Sequence, residues 1–495
     1  MAFDREKAEE RRRWIESVPA TSSEDLPSDG SSMSFKDFVD GEMMRFGLLD
    51  LQRSIPSVVD GLKPSQRKVL YTLLKRDSDK EIKVSQLAGA VAHSQAYHHG
   101  EEALVNTIVR MAQNFCGANN LALLEPIGQF GTRHEGGHDA ASARYIFTNL
   151  SPLARILFPA EDDLLLERLQ DDGQLVEPKW LCPILPLVLI NGAEGIGTGW
   201  ATKIANRNVQ NVCDAVKMMI EKADRADVGD LLLPHYEGFT GQIQKLDSRR
   251  YFSTGKAEFA KTSRKNDLCV NITELPVGVW TSKYKEKLNT FLKDGLIGGF
   301  SESHTEKSVR FSVEMLGKAT RNLDLQRFFK LQSTFTEHLV LFNAEGVLKR
   351  YPNVLEIATE HFVTRKGLYE KRRELLLRES SAKLKYLENQ ARFVENLVNG
   401  SLKVTGRKRE EVEIQMKQFG FETNPVKILK KQLPIDQLDF AYLLEMPMSR
   451  LTKEEIEKLD EKAQKQRKER DSLDKSQWQQ TWTTEIEKFE KFSRF

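Results

Sequence analysis

The segment GQFGTRHEGGHDAASARYIFTNL, residues 128–150, sets the expectations for the rest of the chain. Glycines at 128, 131, 136 and 137 and the small run Ala140, Ala141, Ser142, Ala143 remove side-chain bulk, so the backbone can approach a large partner closely. The run ends in Arg144 and Tyr145, with Arg133 nearby in sequence. A tyrosine hydroxyl is a weak nucleophile at neutral pH, with an unperturbed pKa of about 10. To attack a phosphodiester it needs cationic help, because charge builds on the phosphate oxygens as the bond is exchanged. Neighbouring arginines supply such help. Chemistry alone leaves a second reading open, a partly buried aromatic beside a charged neighbour.

Outward from this segment, 495 residues are too many for one core and predict three or four domains. The net charge is only +2, so bulk charge does not advertise nucleic acid. Local charge does: residues 61–76 hold Lys63, Arg67, Lys68, Lys75 and Arg76 and no acidic residue. A solvated helix face is the plainer reading of that patch. Four scattered cysteines, Cys116, Cys182, Cys213 and Cys269, argue against a zinc ribbon or a disulfide framework. The charged start is no secretory signal and no run of 18 apolar residues occurs, so a soluble intracellular protein is expected.

In chain order, residues 4–14 read as a polar helix and residues 19–32 as a Ser/Pro/Asp-rich link, with a domain beginning near Ser34. Helical periodicity then runs to Pro56, and a new helix is predicted from Pro64 after a turn at Asp60 and Gly61. Two further helices, about 84–92 and 101–115, flank HSQAYHHG, which suggests a helix-turn-helix or winged-helix unit. His98 and His99 read either as a helix cap or as phosphate ligands. The EDD and DDG clusters at 161–173 lack metal-site spacing. In NGAEGIGTGW the pattern Gly195-Ile-Gly197 begins a dinucleotide fingerprint, but Trp200 stands at the third glycine, which favours a tight turn. Short alternating runs from 239 to 342 predict mixed α/β structure. Leu387, Ala391, Val394 and Val398 and a capping box at Thr452 and Glu455 predict two long helices around residues 400–450. Those helices could form an antiparallel coiled coil with a small head, or a bundle folded onto the core.

EPIGQFGTR, GGHDAASARYIFT, ILPLVLINGAEGIGTGW, GLKPSQRKVL and AYHHGEEAL resemble the breakage-reunion region of the type IIA DNA topoisomerases in their eukaryotic form, over nearly the whole chain. The resemblance implies an α+β fold, mostly α. It divides into an N-terminal helix and linker (1–33), a winged-helix domain with the catalytic tyrosine (34–205), a mixed α/β tower domain (206–360), coiled-coil arms (361–399 and 451–495) and a C-gate dimerisation head (400–450). It implies Tyr145, Arg144, Arg67 and His99 as catalytic residues and Lys63, Lys68, Arg133 and His98 as DNA contacts. WATKIANRN resembles the segment whose isoleucine wedges between base pairs, which points to Ile204, although Ala205 stands where proline is common. His138 stands where a lysine is usual. Lys261, Arg264 and Lys265 are candidate contacts to flanking phosphates.

The implied activity is that of an ATP-dependent type II topoisomerase, an isomerase. A homodimer would cleave double-stranded DNA through 5′-phosphotyrosyl links so that a second duplex passes. Mg2+ ligands are expected from a Toprim domain, and ATP use from an ATPase domain, neither matched by motifs here; no metal ligand is expected in this chain. The resemblance also implies a nuclear protein with no membrane association. By itself the chain is expected to bind and bend DNA but cleave poorly. Two alternatives stay open: a non-catalytic architectural dimer that bridges DNA, and a bacterial gyrase A-type subunit, against which the NGAEGIGTGW wording counts.

Overall fold

The computed structural model describes residues 5–7, 9–10, 13–14, 33–78, 80–171, 173–222, 225–260, 268–316, 323–429 and 440–493. The link expected at 19–32 and Lys261, Arg264 and Lys265 lie outside the described residues. The chain forms two compact units, Met1–Arg365 with Thr483–Phe495, and Lys366–Trp482. The fold is α+β, with long helices and several small antiparallel sheets.

In the first unit the helix Met44–Ser54 stops where the sequence requires it. Ile55 is already extended, because the residue before a proline clashes in the helical region and Pro56 follows. The next helix, Pro64–Leu74, opens on a proline, whose missing N–H is no loss in the first turn. The Gln66 side chain accepts a hydrogen bond from the Lys63 amide (2.9 Å) and closes that turn. Val69, Leu70 and Leu73 pack with Leu87, Ala88 and Val91 of Val84–Ser94 and with Leu104 and Ile108 of Glu101–Ala112. All eight are buried. Each large side chain buried this way contributes roughly 1.5–3 kcal/mol of transfer free energy. The strand Phe147–Thr148 pairs antiparallel with Ile82–Lys83, and Phe147 also bridges Ile127. The catalytic-candidate segment is thereby stitched to the three-helix core.

Further along, a four-stranded antiparallel sheet has the order Ile297–Glu302, Phe311–Met315, Cys269–Glu274, Lys256–Phe259. In Cys269–Glu274, Val270 and Ile272 alternate inward and meet Tyr284, Leu288 and Phe291 of the helix Thr281–Lys293. A separate three-stranded sheet joins Gln332–Thr336, Arg250–Thr254 and Gln242–Lys245.

The second unit is built on residues 366–398 of the long helix Val354–Val398 and on Lys453–Lys475. Arg373 bonds the Leu473 carbonyl (3.3 Å) and Gln466 bonds Ser380 (2.9 Å), so rising numbers on one helix meet falling numbers on the other. The pair is antiparallel. Ala391 and Val394 pack against Leu459, whereas Val398 is exposed and ends the apolar stripe. The Thr452 hydroxyl accepts from the Glu455 amide (3.3 Å) at the start of Lys453–Lys475. Phe393, Leu402, Val412, Met416, Phe421, Phe440 and Leu443 form a separate small core. The C-terminal arm is two helices rather than one. Ser476 is extended, its hydroxyl bonded to the Leu473 carbonyl (2.7 Å), and Trp478–Ser493 begins beyond it.

Candidate active site

Tyr145 is presented rather than packed: it is 71% exposed, while Ile146 next to it is buried. Its backbone is held on both sides. The Tyr145 amide donates to the Ser142 carbonyl (2.9 Å), Val84 N–H donates to Ile146 O (3.1 Å), and Ser85 N–H to Ala143 O (3.2 Å). The Arg144 guanidinium lies 5.8 Å from the Tyr145 ring centroid. An exposed hydroxyl on a fixed backbone with an adjacent cation can meet a polymer without rearranging.

The preceding loop folds on itself. Thr132 donates to both Asp139 oxygens, from its amide (2.8 Å) and its hydroxyl (2.6 Å). The Gln113 amide nitrogen reaches the carbonyls of Phe130 (2.9 Å) and Gly137 (3.1 Å). Gly131 and Gly137 have positive φ, and a Cβ on Gly131 would come within 2.6 Å of the Gly137 backbone. Only glycine allows that approach.

His99 is exposed, edge-on to Tyr97 at 5.4 Å. Partial desolvation by its neighbours, then the charges of Arg53, His98 and Lys68, hold its imidazole below the usual histidine range, which favours the neutral form. His98 has Nε2 3.5 Å from Asp171. Arg53, at the exposed end of Met44–Ser54, is thus the cation that most strongly reaches the His99 ring. The motif reading missed it because it precedes the recognised GLKPSQRKVL.

Four expected site residues need correction. Arg67 is buried, with Nε on Asp60 Oδ2 (2.6 Å) and Nη2 on Asp60 Oδ1 (3.1 Å) and Leu62 O (2.9 Å). Asp60 also accepts from the amides of Leu62 and Leu181. Arg67 therefore braces a turn, its guanidinium already committed to Asp60 and Leu62. Lys68 is tied to Glu177 (2.8 Å) and to the Gln95 carbonyl (2.7 Å). Arg133 is buried against Glu274. Ile204 is 3% exposed, too deep to insert into a duplex. In the basic patch, Lys75 and Arg76 are also held, by Asp163 (2.5 Å) and the Lys80 carbonyl (2.6 Å). Lys63 differs. Its ammonium is held below the usual lysine range by burial and then by the like charge of Arg110, only partly offset by Glu194. A lysine whose charged form is disfavoured in this way gains from an anion brought near it.

The aliphatic side chain that does face out is Ile196, 82% exposed on the hairpin of Ala193–Gly197 and Trp200–Ile204. The two glycines flanking it explain why. A Cβ on Gly195 would collide with the Ser54 carbonyl, and one on Gly197 would meet Leu51 at 3.0 Å. The glycine face lies on Met44–Ser54, and alternation turns Ile196 away from that helix. Asp50 fastens the turn, accepting from the Thr198 amide (2.8 Å) and hydroxyl (2.9 Å). Among the described residues no group of three or more His, Cys, Asp or Glu side chains could hold a metal ion. No helix among them is long and apolar enough to cross a membrane.

Residues 53–488 match the family of the DNA gyrase/topoisomerase IV A subunits. A protein of Caenorhabditis elegans named as a mitochondrial DNA topoisomerase 2 is 50% identical over 473 residues, which cover 93% of this chain and 40% of that protein. Human DNA topoisomerase 2-beta is 42% identical over 500 residues, covering 93% of this chain and 30% of its own length. The chain thus spans well under half of these relatives. The crystal structure of the Plasmodium falciparum topoisomerase II DNA-binding, cleavage and re-ligation domain superposes with a TM-score of 0.81 at 34% identity, over 99% of this chain and 68% of that one.

Proposed function

The chain belongs to the type IIA DNA topoisomerases in their eukaryotic, DNA topoisomerase II form, and from that premise we propose that it binds double-stranded DNA, then cleaves and reseals it through Tyr145. The exposed Tyr145 hydroxyl on a pinned backbone, with Arg144 against its ring, carries this reading.

In the proposed reaction the Tyr145 oxygen bonds to phosphorus as the bond to the 3′ oxygen breaks, and the tyrosine proton is given up as the 3′ hydroxyl gains one. The product is a 5′-phosphotyrosyl ester, and reversal reseals the strand with no net change in bonds. Arg144 and Arg53 oppose the charge on the phosphate oxygens. Neutral His99 is suited to hydrogen-bond the departing 3′ oxygen. Lys63 with Arg110 takes a backbone phosphate, which supplies affinity without sequence information. Ile196 replaces Ile204 as the wedge, unstacking one step at a cost of a few kcal/mol that added contacts offset.

The three packed helices and the strands of residues 34–205 act as the winged-helix domain, the sheets of 206–360 as the tower, and the antiparallel helices and small core as coiled coil and C-gate head. The working enzyme is a homodimer that opens one duplex for another, relaxing or decatenating DNA. Toprim and ATPase parts of the enzyme would hold Mg2+ and ATP, and the metal would supply positive charge at the attacked phosphate. A nuclear location is proposed, and a fluorescent fusion that marks mitochondria instead would overturn it.

A covalent-capture assay tests the core of this reading. The chain, a fragment supplying the Toprim part, Mg2+ and nicked DNA are mixed, quenched with detergent and digested. The expected DNA-linked peptide contains Tyr145 and disappears in Tyr145→Phe with DNA binding retained. A complex that assembles and bends DNA yet gives no adduct favours an architectural protein.

A further inference from the structure

We propose that Glu274 is a positioning residue for Tyr145, acting through the loop of residues 128–143; this rests on the cleavage reading above. Glu274 ends the strand Cys269–Glu274, is 2% exposed, and is fully engaged. One carboxylate oxygen takes the Arg133 guanidinium and the Leu275 amide (2.9 Å), and the other takes the Thr240 amide (2.9 Å) and hydroxyl (3.0 Å). Arg133, 4% exposed, also reaches the Leu275 carbonyl (3.4 Å). The attachment continues along the loop. Ser282 N–H donates to the His134 carbonyl (3.1 Å), and the Ser282 hydroxyl donates to the Glu135 carboxylate (3.1 Å). A Cβ on Gly136 would collide with the Trp280 indole, which also packs edge-on to Phe115 at 6.0 Å.

Four consecutive loop residues, 133 to 136, are therefore clamped by residues 274 to 282. The Tyr145 end of the same loop is clamped separately, to residues 82–85. Between the clamps the loop closes through Gly137 N–H to Thr132 O (2.9 Å) and Ala141 N–H to Gln129 O (2.9 Å). The tyrosine hydroxyl is thus set from two sides, one in the helical core and one in the four-stranded sheet. Glu274 is the buried anion on which the second clamp is built. Losing its charge strands Arg133 in a buried site and frees the loop. Neither residue is exposed to DNA, so the effect falls on the chemical step and not on affinity.

The test compares the full chain with Glu274→Gln, which keeps the shape and the Thr240 contacts, in the covalent-capture assay at a temperature where both are folded. The expected result is a drop of at least tenfold in the rate of adduct formation, since misplacement by about 1 Å costs on the order of 100-fold. DNA affinity should stay within about twofold, and amide hydrogen exchange should rise across 128–143 but not across Thr281–Lys293. Val313→Ala, a core change in the same sheet that does not touch the loop, controls for general loss of stability. Equal adduct rates in wild type and Glu274→Gln, or an equal loss in Val313→Ala, overturn the positioning role alone. A wild-type chain that gives no adduct at Tyr145 overturns the cleavage reading as well.

Discussion

Ile196 and Ile204 lie on opposite faces of one hairpin, the first 82% and the second 3% exposed. Ile196 pairs with Ala201 and Ala193 with Ile204, so the step along the strand from 201 to 204 is odd and the two isoleucines cannot share a face. Ile196→Ala is expected to leave Tm unchanged and to reduce DNA bending measured by energy transfer between end labels. Ile204→Ala should cost about 2–5 kcal/mol in stability and reduce bending only where it unfolds the chain. Equal bending by wild type and Ile196→Ala would show that the wedge lies elsewhere.

Arg67 and Arg53 should separate in the same way. Asp60→Asn leaves the buried Arg67 guanidinium uncompensated, and a loss of about 3–5 kcal/mol is expected in denaturant unfolding. Arg53→Ala should hardly move the unfolding midpoint yet slow adduct formation at Tyr145. If Arg53→Ala cleaves at the wild-type rate, its charge does not serve the phosphate.

Lys63 makes a prediction in salt. If it neutralises one phosphate, Lys63→Ala should lower the slope of log affinity against log salt by about 1, for any DNA sequence. Lys68→Ala should leave the slope unchanged, because its ammonium is already paired with Glu177. Titrations at several salt concentrations decide between them.

His361 predicts acid sensitivity. It is fully buried, with Nε2 3.1 Å from the Pro183 carbonyl, so that nitrogen carries the proton and donates it. Burial, then the charge of Arg365, push its pKa down to about 3. Unfolded, it binds a proton near pH 6.5. As pH falls below that value the unfolded state takes up a proton that the folded state refuses, so stability falls by about 1.4 kcal/mol per pH unit until the folded pKa is reached. Tm measured from pH 7 to pH 5 should drop, and His361→Asn should flatten the drop by one proton's worth. A slope unaltered by the substitution would assign the acid sensitivity to other groups.

Much of the local architecture was legible in the chain. Pro56 stopped one helix, Pro64 opened the next and Thr452 capped another, because each acts within a single turn of backbone. The small residues before Tyr145 pointed to close backbone approach, which Gly131, Gly136 and Gly137 make against their own loop, Trp280 and Gln113, and the family motifs pointed to the tyrosine. What composition and spacing could not reveal was the direction of the cations. Asp60 lies only 7 residues from Arg67, but Glu177 lies 109 residues from Lys68 and Glu274 lies 141 from Arg133.

A basic residue in a motif is equally a phosphate ligand or half of a buried ion pair until the distant carboxylate is placed. The sequence by itself determined the family, the starts and stops of several helices, and Tyr145 as the candidate nucleophile. Only the tertiary structure decided that Arg67, Lys68 and Arg133 are paired with carboxylates while Arg53 and Ile196 stay exposed. Helix caps, proline breaks and strand alternation are encoded over a few residues. Burial and charge pairing belong to contacts that exist only after the chain has folded.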